Sequence, residues 1–412
     1  MTSIGRVVIV GPASPAALAG HLSEGDSERG AAINGLGAAP VNALVTALLQ
    51  HQIEVELVTL TPEVNRLHHL SGPGLDIRIG PYRSRPRHRA RDFYAQERRA
   101  LSDLLAMTSG DVVHAHWTYE FALPCENERR PVLVTAHDAP LTILRLAHDK
   151  YRLVRTTLAY RVRLGIRTLS TVSPYLADRW RREMAYRRPI LVVPNIAVGL
   201  PLAERSASPR RQVILDISDQ GRRKNVSTLI RAFGEVRRVR QDTVLRLIGP
   251  GLGPDDALAR WATANGLAAS VEFTGPVDHA EIPRHLAEAD LFVHAALEEA
   301  HPMSVCEAMH AGLPMLGGRN SGGVPWTLDG GRCGILVDVR DPHAIAGGIL
   351  RLLSDPAMAH ALGSAAQRRA VGAFGPDAIV QGYLKAYASA AREQASGRGS
   401  RLVGKARAWG GA

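Results

Sequence analysis

Short apolar runs alternate with longer amphipathic stretches along almost the whole chain. In the first half, Arg6–Gly11, Val55–Leu60, Asp111–His116, Val132–His137, Thr168–Ser173 and Ile190–Pro194 read as strands. Between them, stretches such as Val41–His51 and Arg152–Leu164 carry apolar residues at helical spacing. Strand and helix in alternation predict a parallel sheet with helices on both faces. The pattern breaks at Ala197–Arg211, where Gly199, Pro201, Ser206, Ser208 and Pro209 interrupt it, and this predicts a linker over 199–211.

The alternation then restarts. Strands are expected at Val213–Ile217, Val244–Ile248, Val271–Thr274, Leu291–Ala295, Pro314–Leu316 and Ile335–Val337. Helices are expected at Val226–Arg238, Asp255–Ala264, Glu281–Ala289, Met303–His310 and His343–Leu353. The fold class is therefore α/β, with two doubly wound, Rossmann-like domains over 1–198 and 212–375. They are expected to face a central cleft, with ligands at the carboxyl ends of the strands. A C-terminal helix over 376–394 is expected to cross back to the first domain. The basic tail 395–412, with Arg398, Arg401, Lys405, Arg407 and Trp409, is expected to be disordered.

Composition narrows the class. With 45% hydrophobic residues in 412, the chain is neither disordered nor collagen-like. Three scattered cysteines, Cys125, Cys306 and Cys333, make no disulfide framework and no zinc pattern, which fits a reducing cytosol. No apolar run approaches the roughly 18 residues of a membrane span. The net charge of +11 is compatible with phosphorylated ligands, anionic lipid or nucleic acid. Residues 1–200 hold most of the excess, with 25 Arg and Lys against 18 Asp and Glu.

The most informative stretch is E-A-H-P-M-S-V-C-E, Glu299–Glu307. Pro302 suits the first turn of a helix, because the N–H it lacks would have no helical partner. The amides of Met303 and Ser304 then lie at a helix N-terminus, which attracts phosphate. Glu299 precedes that helix at the end of a strand, where catalytic groups gather. Glu299 could instead be a solvated acid with Glu298 the functional one, but the seven-residue spacing to Glu307 favours Glu299.

E-x7-E is followed by E-A-M-x-x-G-x-P, S-G-G-V-P and G-I-L-V-D. Asp111–Leu123, Val134–Pro140, Ser170–Ser173, Val192–Asn195 and R-K-N-V-S-T-L-I-R-A-F (Arg223–Phe233) precede it in order. The set resembles the family-4 retaining glycosyltransferases of GT-B fold, over most of the chain. That resemblance implies sugar transfer from a nucleotide-sugar donor to a hydroxyl acceptor, with retention and without a metal cofactor. It implies that Glu299 contacts the donor sugar and Glu307 the ribose, and that Lys224, with Arg223 beside it, grips the diphosphate. His137 would reach the sugar from the other domain. Gly35 and Gly37 would approach the diphosphate, and the turn at Pro276 and Val277 would hold the base. The acceptor class implied is a saccharide, a lipid-linked saccharide or a small molecule.

There are departures from the family pattern. Ile217–Gly221 carries no arginine where the family has one, so Arg222 or Arg223 is the candidate replacement. Trp326 stands where a glutamate follows G-G-x-P, and Gln52-Ile53 stands where the family has G-H.

Two histidines, His114 and His116, share one strand face; packing or acceptor contact is favoured over metal binding. The arginine run Arg83–Arg91 and the basic helix around Lys150–Arg167 read as solvated faces or as contacts for an anionic membrane. A peripheral enzyme on the cytoplasmic face is the expected location. A sugar-nucleotide epimerase or hydrolase of the same fold is a rival reading. No recognition-helix or aromatic RNA-binding signature supports nucleic acid as a partner.

Overall fold

A computed structural model describes residues 4–197 and 211–408. The expected linker therefore lies outside the described residues but for Arg211, and so does the end of the tail, 409–412. The chain divides into two compact units, Met1–Ile196 with Pro376–Ala412, and Ala197–Gly375.

The first unit is built on an eight-stranded sheet. Its strands are β1 (Arg6–Val10), β2 (Glu54–Thr61), β3 (His68–Gly72), β4 (Leu75–Pro81), β5 (Val112–His116), β6 (Val132–Ala136), β7 (Thr168–Thr171) and β8 (Ile190–Val192). Their order is β3-β4-β2-β1-β5-β6-β7-β8, and only β3 runs antiparallel to its neighbour. Val7 to Val10 are fully buried, as a central parallel strand covered on both faces requires. One face packs on the helix Ala39–Gln50 and on Ile379, Val380, Tyr383 and Tyr387 of the helix Pro376–Ala408. That C-terminal helix thus belongs to the first unit although it follows the second in sequence.

The hairpin β3–β4 is absent from the sequence expectations, as is the helix Pro356–Phe374. The helix Pro376–Ala408 runs on into the stretch from residue 395.

The second unit holds a six-stranded, all-parallel sheet. Its strands are β9 (Gln212–Ile217), β10 (Thr243–Ile248), β11 (Val271–Gly275), β12 (Leu291–His294), β13 (Met315–Gly318) and β14 (Ile335–Val337), in the order β11-β10-β9-β12-β13-β14. Successive residues point to opposite faces. Ile214, Leu291 and Val293 enter one core with the helices Val226–Val239 and Pro342–Ser354. Leu215 and Phe292 enter the other with the helix Met303–His310.

Strand order reverses between β1 and β5 in the first sheet and between β9 and β12 in the second. At such switch points the loops leaving adjacent strands diverge, and an open crevice forms at the carboxyl ends.

Candidate active site

At the β9/β12 switch point of the second unit, the loop after β9 brings Arg223 and Lys224 against the loop after β12. Asn225 makes this possible. It adopts a left-handed φ of 58°, tolerable for Asn, and stands at the N-cap position of the helix Val226–Val239 without a side-chain capping bond. Its Nδ2 donates to the carbonyls of Ala295 and Val339, at 3.2 and 2.7 Å. The amide of Leu297 donates to the Arg223 carbonyl at 2.7 Å. The two loops are thereby stitched together before any ligand arrives.

Lys224 Nζ then lies 2.5 Å from Glu299 Oε1, and Arg223 Nη1 lies 2.9 Å from Glu299 Oε2. Arg223 also donates to the Glu298 carbonyl at 2.6 Å. His294 Nε2 stands 3.5 Å from Glu299 Oε1, within ion-pair range but without good hydrogen-bond geometry. Burial pushes the Glu299 carboxyl up, but the neighbouring His294, Lys224 and Arg223 outweigh it and hold the group well below the usual carboxylate range. Glu299 is a buried, ionised carboxylate between two cations. Asp216, at the end of β9, is buried behind this cluster and accepts from Ser218 Oγ at 2.5 Å; burial pushes its carboxyl up.

The backbone of Glu299 is fixed by the S-G-G loop, since Gly323 N donates to its carbonyl at 2.7 Å. Next comes the helix Met303–His310, with Pro302 at its N-cap. The first amides of a helix have no intrahelical acceptor, so Met303 and Ser304 supply donors there. Glu307 lies on the same helix and pairs with His279, Nε2 to Oε1 3.1 Å. His279 follows Val277 in the turn after β11, so this pair draws the Val277 turn to Glu307. Arg222, by contrast, is exposed. Of the two arginines, Arg223 is the one in contact with Glu299.

Trp326, the departure after G-G-V-P, packs with His301 and Phe374 at ring separations of 5.7 and 5.6 Å. Its carbonyl accepts from Arg369 at 2.8 Å. An aromatic cluster thus stands where the family carries a glutamate.

In the first unit, Gly35 and Gly37 lie in the long connection after β1, at the β1/β5 switch point. Their φ values are 70° and 77°, and a Cβ on Gly35 would lie 2.2 Å from the Ala13 carbonyl oxygen. Only glycine fits there. His137 follows β6. Its Nε2 is hydrogen-bonded to His116 Nδ1 at 2.9 Å, and its ring stacks on Trp117 at 4.2 Å. His114 is engaged by Tyr387 Oη at 2.9 Å and Thr135 Oγ1 at 2.7 Å, contacts that fit packing. Among the described residues, no group of His, Cys, Asp and Glu is arranged to hold a metal.

The basic stretches need correction. Arg83 is bound by Asp92 and Glu97, at 2.8 and 2.5 Å, and Arg89 is buried over the Tyr82 ring. Arg85, Arg87 and Arg91 remain exposed. On the helix Lys150–Gly165, Arg155 covers the Tyr119 ring and Arg163 donates to the Met184 carbonyl at 2.7 Å. Much of that charge therefore holds the fold together.

The geometry can be set beside known proteins. Residues 41–196 match the family described as Glycosyltransferase Family 4, and residues 203–369 match Glycosyl transferases group 1. The chain belongs to the family-4 glycosyltransferases. It is 35% identical over 177 residues to a GDP-mannose-dependent alpha-(1-6)-phosphatidylinositol monomannoside mannosyltransferase of Mycolicibacterium smegmatis. That match covers 41% of this chain and 46% of the relative, so the chain spans about half the length of that relative. In fold, sucrose-phosphate synthase from Thermosynechococcus elongatus matches with a TM-score of 0.72 and 19% identity, over 93% of this chain and 98% of the other. HepE of Anabaena, in complex with UDP and glucose, matches with a TM-score of 0.66 and 16% identity, over 94% and 100%. The GT-B fold of two Rossmann-like domains is thus the fold of this glycosyltransferase family member.

Sequence reading missed His294, Asp216, Asn225 and His279. The signal for Asn225 was available, because Asn before a helical run is a usual cap. His294 lies only five residues before Glu299, whereas nothing in the sequence places Asp216 beside His294 and Lys224, since that depends on the pairing of β9 and β12.

Proposed function

We propose that this protein transfers a sugar from a nucleotide-sugar donor to a hydroxyl acceptor with retention of anomeric configuration. The observation that carries this reading is the Arg223–Glu299–Lys224 cluster at the β9/β12 switch point.

The leaving group would be a nucleoside diphosphate, on whose β-phosphate negative charge grows as the glycosidic bond breaks. Lys224, Arg223 and the Met303 and Ser304 amides are assigned to that charge, and fixed dipoles and cations stabilise it without reorganising. No divalent metal is assigned a role, because these groups supply the positive potential. The sugar carbon gains oxocarbenium character. Glu299, ionised and rigidly held, is assigned to the sugar, where it orients hydroxyls and supports the developing cation. Glu307 is assigned to the ribose hydroxyls and Val277 to the base. Gly35 and Gly37 are assigned to the diphosphate, and His137 to a sugar hydroxyl.

For the acceptor, the reading is a saccharide hydroxyl on a lipid-linked or small-molecule carrier, in polysaccharide or glycolipid synthesis. The phosphatidylinositol mannoside acceptor in the name of the mycobacterial relative supports a lipid-linked one. No described helix is long and apolar enough to cross a membrane. Exposed Arg85, Arg87 and Arg91, beside Phe93 at 44% exposure, support peripheral attachment to the anionic cytoplasmic face.

The test is an incubation with a sugar nucleotide and a set of lipid-linked and soluble saccharides, followed by NMR of the product. A new glycoside with the donor's anomeric configuration is expected. Inverted product, or nucleoside diphosphate released with free or epimerised sugar alone, would overturn the reading.

A further inference from the structure

His294 ends β12 and pairs with Gly317 of β13, so its ring is carried by the sheet of the second unit rather than by a loop. The side chain is 1% exposed, and neither ring nitrogen has a hydrogen-bond partner among the described residues. Buried polar groups are ordinarily bonded, because desolvating one without a partner is costly. The charged groups around the ring are Glu299, whose Oε1 stands 3.5 Å from Nε2, Lys224 on that same oxygen, and Asp216, which already accepts from Ser218.

Lys224 holds Glu299 Oε1 and Arg223 holds Oε2. In the functional reading both cations also serve the diphosphate. Lys224 has a flexible four-carbon stem, whereas Arg223 is tied to the Glu298 carbonyl. A lysine drawn to a diphosphate leaves Oε1 without its nearest partner, and a buried carboxylate that loses a partner is strongly destabilised. The His294 imidazole already stands beside that oxygen. A shift of about half an ångström brings Nε2 to hydrogen-bond distance.

We propose that His294 is a positioning residue that takes over Glu299 Oε1, as an Nε2–H donor, when Lys224 turns to the diphosphate. The carboxylate then keeps its charge and its place while the lysine serves the leaving group. The handover accounts for an imidazole buried at the end of a strand whose other residues, Leu291, Phe292 and Val293, are apolar. The movement of the lysine rests on the glycosyltransferase reading; the reserve contact to Glu299 does not.

The test has two arms. The first is nitrogen and proton NMR of the protein with labelled histidine, with His294 assigned from a His294→Gln variant. In ligand-free Lys224→Met, where no nucleotide is needed, the His294 Nε2 proton should shift downfield relative to wild type, as a carboxylate hydrogen bond requires. The same shift should appear in wild type saturated with whichever of UDP, GDP, ADP and dTDP stabilises it in thermal melts. A His294 signal unchanged between free and nucleotide-bound wild type overturns the proposal, whether or not Lys224→Met folds. A folded Lys224→Met protein without the shift overturns it too. The second arm measures affinity for that nucleotide in His294→Leu, checked for folding by thermal melting. Binding should weaken roughly tenfold, the scale of a hydrogen bond to a charged group. In a Glu299→Gln background the same change should leave affinity nearly unaltered, because the charge to be handed over is gone. No loss in the wild-type background, or equal losses in both, overturns the proposal. If none of the four nucleotides binds the wild type, the functional reading fails and the handover with it. Binding without a change at His294 overturns the handover alone.

Discussion

Lys224 Nζ lies 2.5 Å from Glu299 Oε1, so the cation assigned to the diphosphate is already held by the carboxylate assigned to the sugar. Their side chains are only 15% and 10% exposed. Removing one partner of such a pair leaves the other buried and uncompensated, which costs more than the pair itself contributes. The pair therefore fixes both groups at one strand-end crevice before substrate arrives.

Glu299→Gln keeps the shape of the side chain and removes its charge. Turnover should fall by roughly a hundredfold or more, the scale seen when a transition-state electrostatic partner is lost. Nucleoside diphosphate binding should persist, because Lys224 and Arg223 are then released to it. Calorimetry and single-turnover kinetics measure the two effects. The variant should also be less sensitive to acid. The folded pKa of Glu299 is depressed, so its contribution is present above about pH 4.3, the ordinary glutamate value, and is lost as pH falls toward the folded value. Acid titration of thermal stability should show a smaller slope in the Gln variant.

Asn225 tests the stitching of the two loops. Asn225→Ala loses donors to Ala295 and Val339 and places a Cβ residue at positive φ without the Asn side chain's local bonds. Stability should drop by about 1–3 kcal/mol in urea melts. Asn225→Gly relieves the φ strain and should lose less stability than Ala.

His279 and Glu307 give a pH dependence. The hydrogen bond to Glu307 raises the His279 pKa. The pair is therefore fully formed below about pH 6.5, the unperturbed histidine value, and is lost as pH rises through the raised pKa. If Glu307 takes ribose hydroxyls, the protonated histidine competes with them. Nucleotide affinity should rise with pH across this window, with proton release on binding within it. His279→Gln should flatten the dependence. Calorimetric titrations in buffers of different ionisation enthalpy would detect the proton.

The exposed arginines can be tested separately from the structural ones. Changing Arg85, Arg87 and Arg91 to Ser should abolish flotation with phosphatidylglycerol liposomes at low salt and leave the melting temperature nearly unchanged. Wild-type binding should weaken with salt, since the screening length is roughly 8 Å at physiological ionic strength. Changing Arg89 should instead destabilise the first unit, because that side chain is buried against Tyr82. Wild type that stays out of the lipid fraction would exclude the membrane role.

The alternating pattern made twelve of the strands legible, because buried parallel strands are short apolar runs. The hairpin β3–β4 escaped because His68, His69, Asp76 and Arg78 break those runs. L-D-I-R-I alternates with a period of two, and the Gly72–Gly74 turn before it was a usable signal. Helix Pro356–Phe374 was hidden by its weakly patterned, alanine-rich sequence. Near the site, Glu299, Lys224 and Glu307 were visible because each sits in a motif. His294 was within reach, five residues before Glu299 at the end of its own strand, whereas His279 was invisible because its partner Glu307 lies on another element, and only the fold brings the two together.

The central claim is best tested by thermal-shift titration of the purified protein in EDTA with UDP-, GDP-, ADP- and dTDP-sugars. Saturable stabilisation by at least one of them is expected. In Lys224→Ala the affinity should weaken by about 1.5–3 kcal/mol, the scale of a charge-assisted contact. Failure of every sugar nucleotide to stabilise the wild-type protein, or stabilisation that appears only when magnesium or manganese is restored, would contradict the account.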